Sequence, residues 1–128
     1  MPQKVIAVLS DLMFTVKIQE AAKRAGLEPV FVKSRGQALE EARKAPAGMI
    51  LDLNDSAAEP LALVSDLKED EATRSLPVVG YVSHVQVDLR RAAQERGCDL
   101  VVARSAFVQN LPEILRNLTN ASSSILTD

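Results

Sequence analysis

The chain has 128 residues, 47% of them hydrophobic and 25% charged, with 15 Lys+Arg against 17 Asp+Glu for a net charge of -2. That balance fits one globular domain, and with only 3% aromatic residues its core must be aliphatic. No clustered basic face is present, so nucleic-acid binding is not expected. No apolar run approaches the roughly 20 residues of a membrane span.

The first apolar run, Val5 to Leu9, is too short for the core of a signal peptide. One cysteine, Cys98, has no partner for an internal disulfide, and a reducing, cytoplasmic setting is expected.

In chain order, Val5-Ile6-Ala7-Val8-Leu9 is apolar at successive positions, the mark of a strand buried on both faces. Asp11 then precedes a helical stretch whose Phe14, Ile18, Ala21, Ala22 and Ala25 share a face, ended by Gly26. Pro29-Val30-Phe31-Val32 reads as a second strand. Ser34 caps the next helix, with Ala38, Leu39 and Ala42 inward, and Pro46 stops it. Met49 to Leu53 is the third strand, followed by the polar loop Asn54-Asp55-Ser56 and a helix marked by Leu61, Val64 and Leu67.

Leu76 to Val82 is the fourth strand, with Pro77 near its start, where proline is tolerated. Asp88 is placed as the cap of a helix through Leu89, Ala92 and Ala93, ended by Gly97. Leu100 to Ala103 is the fifth strand. A last helix carries Leu111, Ile114, Leu115 and Leu118, with Pro112 in its first turn. The Ser-rich tail, 119–128, is expected to fray. Strands alternating with helices at this spacing predict right-handed crossovers and a parallel sheet in one domain, 1–128, with its core at about 4–118.

Ligands in such sheets bind beyond the carboxyl ends of the strands. The residues found there are Ser10 and Asp11, Asp52 and Asn54, Ser83 and His84, and Arg104 and Ser105. Two converging carboxylates, Asp11 and Asp52, beside a backbone carbonyl suit a hard ion such as Mg²⁺. A hydroxyl (Ser83) and a cation (Arg104) suit phosphoryl oxygens. The plainer alternatives are that Asp11 only caps its helix and that Asp52 is an exposed acid closing a strand. His84 lacks a nucleophile motif beside it, Cys98 reads as a packing residue, and Val16 joins Phe14 as core. No Gly-rich phosphate loop occurs, so no organic cofactor is expected.

The order of elements, Met49-Ile50-Leu51-Asp52-Leu53, Leu76-Pro77-Val78-Val79 and the segment Gly97 to Ser105 together resemble the receiver domain of bacterial response regulators, from about Lys4 to Leu118. The resemblance implies a flavodoxin-like (CheY-like), doubly wound five-stranded parallel sheet, (βα)5, in three α/β/α layers. It implies Asp52 as phospho-acceptor, Asp11, Asp52 and Asn54 as Mg²⁺ ligands, and Ser83 and Arg104 as holders of the phosphoryl group.

Departures from that pattern are numerous. One of two adjacent acids is Ser10, the usual lysine is Arg104, and the proline after it is Ser105. The switch hydroxyl position falls on Val82, the switch aromatic on Val101, and about four extra residues, including Phe107 and Val108, precede the last helix. The expectation is a pseudo-receiver in a two-component or phosphorelay setting: not an enzyme, but a signal-transduction module binding a histidine kinase or a downstream signalling protein. Mg²⁺ would be held weakly, and the candidate homodimer runs through the fourth and fifth helices. The alternatives are a working phospho-acceptor at Asp52, and a small flavodoxin-like ligand-binding or enzyme domain. With no output domain in these residues, direct transcriptional output is not expected.

Overall fold

The computed structural model describes residues 3–83 and 86–127, with side chains described through residue 119. His84 therefore lies outside the described residues. The elements are β1 (Gln3–Val8), α1 (Leu12–Arg24), β2 (Leu27–Val32), α2 (Arg35–Ala42), β3 (Gly48–Asp52), α3 (Pro60–Glu69), β4 (Val78–Val82), α4 (Val87–Glu95), β5 (Leu100–Ala103) and α5 (Arg104–Thr127). The five strands form one all-parallel sheet in the order β2-β1-β3-β4-β5. This is the expected (βα)5 arrangement.

Alternation along each strand splits the core in two. Val5, Ala7, Leu9, Ile50, Val79 and Tyr81 pack with α1 and α5. Ile6, Val8, Leu51, Val78, Val82 and Val101 face the helices on the other side. Val5 to Leu9 are at most 2% exposed, as a strand covered on both faces requires. The chain leaves β1 towards β2 and returns past it to β3, so the carboxyl ends of β1 and β3 bound the cleft where the strand order reverses. No helix of the described residues is long and apolar enough to cross a membrane.

Three local readings are corrected. The last helix begins at Arg104, directly after β5, so Pro112 sits inside it and the extra residues lengthen its start. Pro112 has no N–H for the Val108 carbonyl, a loss tolerated because Phe107, Leu111, Ile114, Leu115 and Leu118 anchor the helix in the core. Its backbone is helical as far as Thr127. Asp88 is not a cap: Gln86 precedes the first turn of α4, and Asp88 lies within that turn, where a negative charge favours the helix dipole. Val16 is 55% exposed, beside Leu12 and Met13, rather than in the core.

Ser34 does cap α2, accepting from the Gln37 amide. Gly97 follows the C-cap of α4 at φ 113, a left-handed conformation that favours glycine, and a Cβ there would meet Lys68 Cγ at 2.7 Å.

Candidate functional site

Asp11 is the N-cap of α1. Its Oδ1 accepts from the backbone amides of Met13 (2.9 Å) and Phe14 (3.2 Å), which covers two donors that the helix itself leaves free. Its Oδ2 accepts from Arg104 Nη2 at 2.5 Å. The Phe14 amide above all, helped by Arg104 and the Met13 amide, holds the Asp11 carboxyl below its usual range, although burial works against them. Arg104 opens α5, and its guanidinium carbon lies 4.2 Å from the centroid of the Phe14 ring. A planar cation can serve a carboxylate at its edge and a ring at its face together.

Beneath this pair, Phe14, Tyr81 and Phe107 form a ring cluster, with centroids 5.1 Å, 4.8 Å and 6.0 Å apart. Tyr81 is paired with Asp52 across β3 and β4 and is 2% exposed. Its hydroxyl has no hydrogen-bond partner among the described residues. Burial, and then the nearby Asp52 charge, push the phenol well above its ordinary value.

Asp52 ends β3 half-buried. Its Oδ1 accepts from the Asn54 amide at 2.9 Å, and no protein donor meets Oδ2 among the described residues. The Asn54 side chain joins two loops: Oδ1 accepts from the Ser83 amide (2.7 Å), and Nδ2 donates to Gln86 Oε1 (2.6 Å). Ser83 thus meets the site through its backbone, while Val82, 2% exposed, faces the opposite half of the core. Ser10 Oγ donates to Asp55 Oδ2 at 2.8 Å, and Asp55 also caps the short turn Ser56–Ala58 through the Ala57 amide. Asp55 is the site residue that sequence reasoning passed over. Its only signal was an acid directly before a short turn.

Asp11 and Arg104 are therefore brought into contact, as are Asp52 with Asn54 and Asn54 with Ser83. Arg104 and Ser83 are not joined, and Arg104 bonds Asp11 rather than Asp52. The arrangement does not suit Mg²⁺ at Asp11, Asp52 and Asn54. Both Asp11 oxygens already accept from protein donors, and the neighbouring position offers a hydroxyl turned to Asp55 where a second carboxylate is wanted. Mg²⁺ demands near-octahedral oxygen ligands and gives up its waters reluctantly.

Burial, with Asp55 and Asp11 adding to it, raises the Asp52 carboxyl above its ordinary 3.8, opposed by the Asn54 amide and Arg104. The folded chain thus keeps this proton to higher pH than the unfolded chain. Ionised Asp52 costs stability at neutral pH, and that cost disappears below 3.8, where both states are protonated. Asp52→Asn retains an oxygen for the Asn54 amide. It is expected to melt above wild type at neutral pH, with the gap closing as pH falls towards 3.8. A gap that widened in acid would contradict this account.

No protein-family model matches the chain, and no curated protein does. Solved structures do. A response regulator from Hahella chejuensis is 20% identical, with 91% of this chain and 94% of that chain covered at a TM-score of 0.82. The phosphorylated cyanobacterial phytochrome response regulator RcpA is 21% identical, with 94% and 93% covered at 0.77. The receiver domain of the Pseudomonas aeruginosa sensor histidine kinase PA1611, which has a magnesium ion coordinated in its active-site cleft, is 15% identical, with 92% and 98% covered at 0.79. The chain has the receiver fold.

Within the receiver fold, the cleft at the ends of β1 and β3 is where this chain collects Ser10, Asp11, Asp52, Asn54 and Asp55. Arg104 lies across it at the start of α5.

Proposed function

We propose that this receiver-fold chain is a cytoplasmic signalling module that acts by binding a protein partner, with phosphoryl switching at Asp52 weakened or lost. The observation that carries the reading is the position of Val82. The place where a receiver would offer a switch hydroxyl holds an aliphatic side chain, 2% exposed, in the core, and Ser83 one residue later is engaged through its backbone. Arg104, the other candidate for holding phosphoryl oxygens, is bound to Asp11.

Exposed apolar side chains support the binding role. Leu12 (77%), Met13 (74%) and Val16 (55%) are neighbours on the first turns of α1 beside the cleft. Val87 and Leu100 are exposed on α4 and β5, the side proposed for self-association. The module has no part as an enzyme in this reading.

The test is phosphoryl trapping. Incubation with radiolabelled acetyl phosphate and Mg²⁺ is expected to leave the wild-type chain unlabelled. Label that is acquired by wild type and absent from Asp52→Asn would establish the second reading, a working phospho-acceptor. One observation favours that second reading: Asp52 Oδ2 carries no protein donor among the described residues and is the atom that a phosphoryl group would meet.

A further inference from the structure

We propose that Arg104 is a tethered counter-ion that takes the place of a divalent metal beside Asp11, so that this cleft is set without metal. The inference concerns the same cleft and rests on its being the receiver fold's site, but not on the partner-binding role.

Several independent features fix the guanidinium there. Its Nη2 donates to Asp11 Oδ2 at 2.5 Å, and its central carbon lies over the Phe14 ring, 4.2 Å from the centroid. Its backbone is the first residue of α5 and follows β5 without a loop. Three residues on, Phe107 is wholly buried against Tyr81 and Phe14. Phe14 is itself tied to Asp11, because its amide donates to Oδ1. The carboxylate, the ring and the cation therefore form one closed arrangement, each member positioned by another.

The charges around it agree. Asp11, Asp52 and Asp55 crowd the cleft, and Arg104 is the cation whose field acts on both Asp52 and Tyr81. In a cleft with three carboxylates a counter-charge is needed, and an arginine fixed by the fold supplies it at any metal concentration. For a metal to take Asp11 it would have to displace the guanidinium, which is held at effectively high local concentration because it is tethered. Ser10 strengthens the case. Its hydroxyl is spent on Asp55, so the position beside Asp11 carries no charge with which to draw a dication.

The experiment is a ¹H–¹⁵N NMR titration with Mg²⁺ alone, on the full chain, for wild type, Arg104→Ala and Arg104→Lys. The amides of Asp11, Asp52 and Asn54 in wild type are expected to stay unmoved to about 10 mM Mg²⁺. Arg104→Ala is expected to acquire a saturable response at those amides, with apparent affinity at least about tenfold tighter than wild type. Should Arg104→Ala lose its folded spectrum, Arg104→Lys decides. A lysine keeps the charge but not the fork and the stacking, and it too is expected to bind Mg²⁺ measurably better than wild type.

Saturable Mg²⁺ binding by wild type in that range would overturn the proposal. So would variants as silent as wild type. The two readings fail separately: Asp52 labelling that persists in excess chelator would defeat the partner-only reading and leave the tethered counter-ion standing, whereas Mg²⁺ binding by wild type without labelling would do the reverse.

Discussion

Replacing Phe107 by alanine is expected to destabilise the chain by about 3–5 kcal/mol, the usual cost of removing a fully buried ring. Phe107 is 0% exposed and touches both Tyr81 and Phe14, so its removal opens a cavity between α1, α5 and the sheet. Neighbours cannot easily close the gap: Tyr81 sits on a central strand and Phe14 is fixed by the cap at Asp11. Urea unfolding followed by circular dichroism reads the effect as a lower midpoint at unchanged slope. A loss below about 1 kcal/mol would show that the rings do not support one another as described. Phe107 also sets the first turn of α5, so the variant is expected to loosen the Arg104 contact with Asp11 as well.

Asp11→Ala is expected to cost about 2 kcal/mol, with roughly 1 from the lost helix cap and up to about 1 from the lost ion pair. The pair is discounted because its side chains are 36% and 40% exposed and water and salt screen it. Asp11→Asn separates the two effects, since asparagine caps nearly as well but carries no charge; it is expected to cost only the smaller share, and less still at high salt. The pH dependence has a definite sign. Asp11 is lowered in the folded chain, so its stabilisation is present above the ordinary 3.8 and fades as pH falls through the lower folded value. Chemical denaturation of the three proteins over a pH series should therefore show wild type converging on Asp11→Asn in acid, while the difference between Asp11→Asn and Asp11→Ala stays constant. Equal losses for both variants would place the whole effect in the ion pair.

The sheet was legible because both of its faces are covered. Runs such as Val5 to Leu9 and Met49 to Leu51 have no polar alternation to confuse them with exposed strands, and the helices between them show their inward faces plainly. Ser34 and Asp11 were legible as caps for the same local reason. What escaped was set by long-range packing. The one cap-type residue of Arg104-Ser105-Ala106, Ser105, falls inside the helix rather than ahead of it, and Pro112 reads as a helix start, yet Phe107 and Leu111 pull the chain into the core and begin α5 at Arg104. Val16 satisfied the helical period but fell on a face that nothing covers.

At the cleft, sequence brought Asp11, Asp52, Asn54, Ser83 and Arg104 to the right end of the sheet. It could not say that Arg104 would cross 93 residues to bind Asp11, nor that Ser10 would turn to Asp55. Those choices depend on side-chain reach across neighbouring loops, which periodicity does not encode.

The ring cluster has an optical consequence. The chain has one tyrosine and no tryptophan, so its ultraviolet emission comes from a single phenol, Tyr81, behind the weak bands of three phenylalanines. Phe14 and Phe107 lie within 5.1 Å of it, close enough to hand their excitation to it. Asp52, one strand over, and Arg104 both place charge near the ring. Occupancy of the cleft, displacement of the guanidinium or a change at Asp52 will alter the brightness of that one fluorophore, giving the protein a built-in, label-free reporter of its own site.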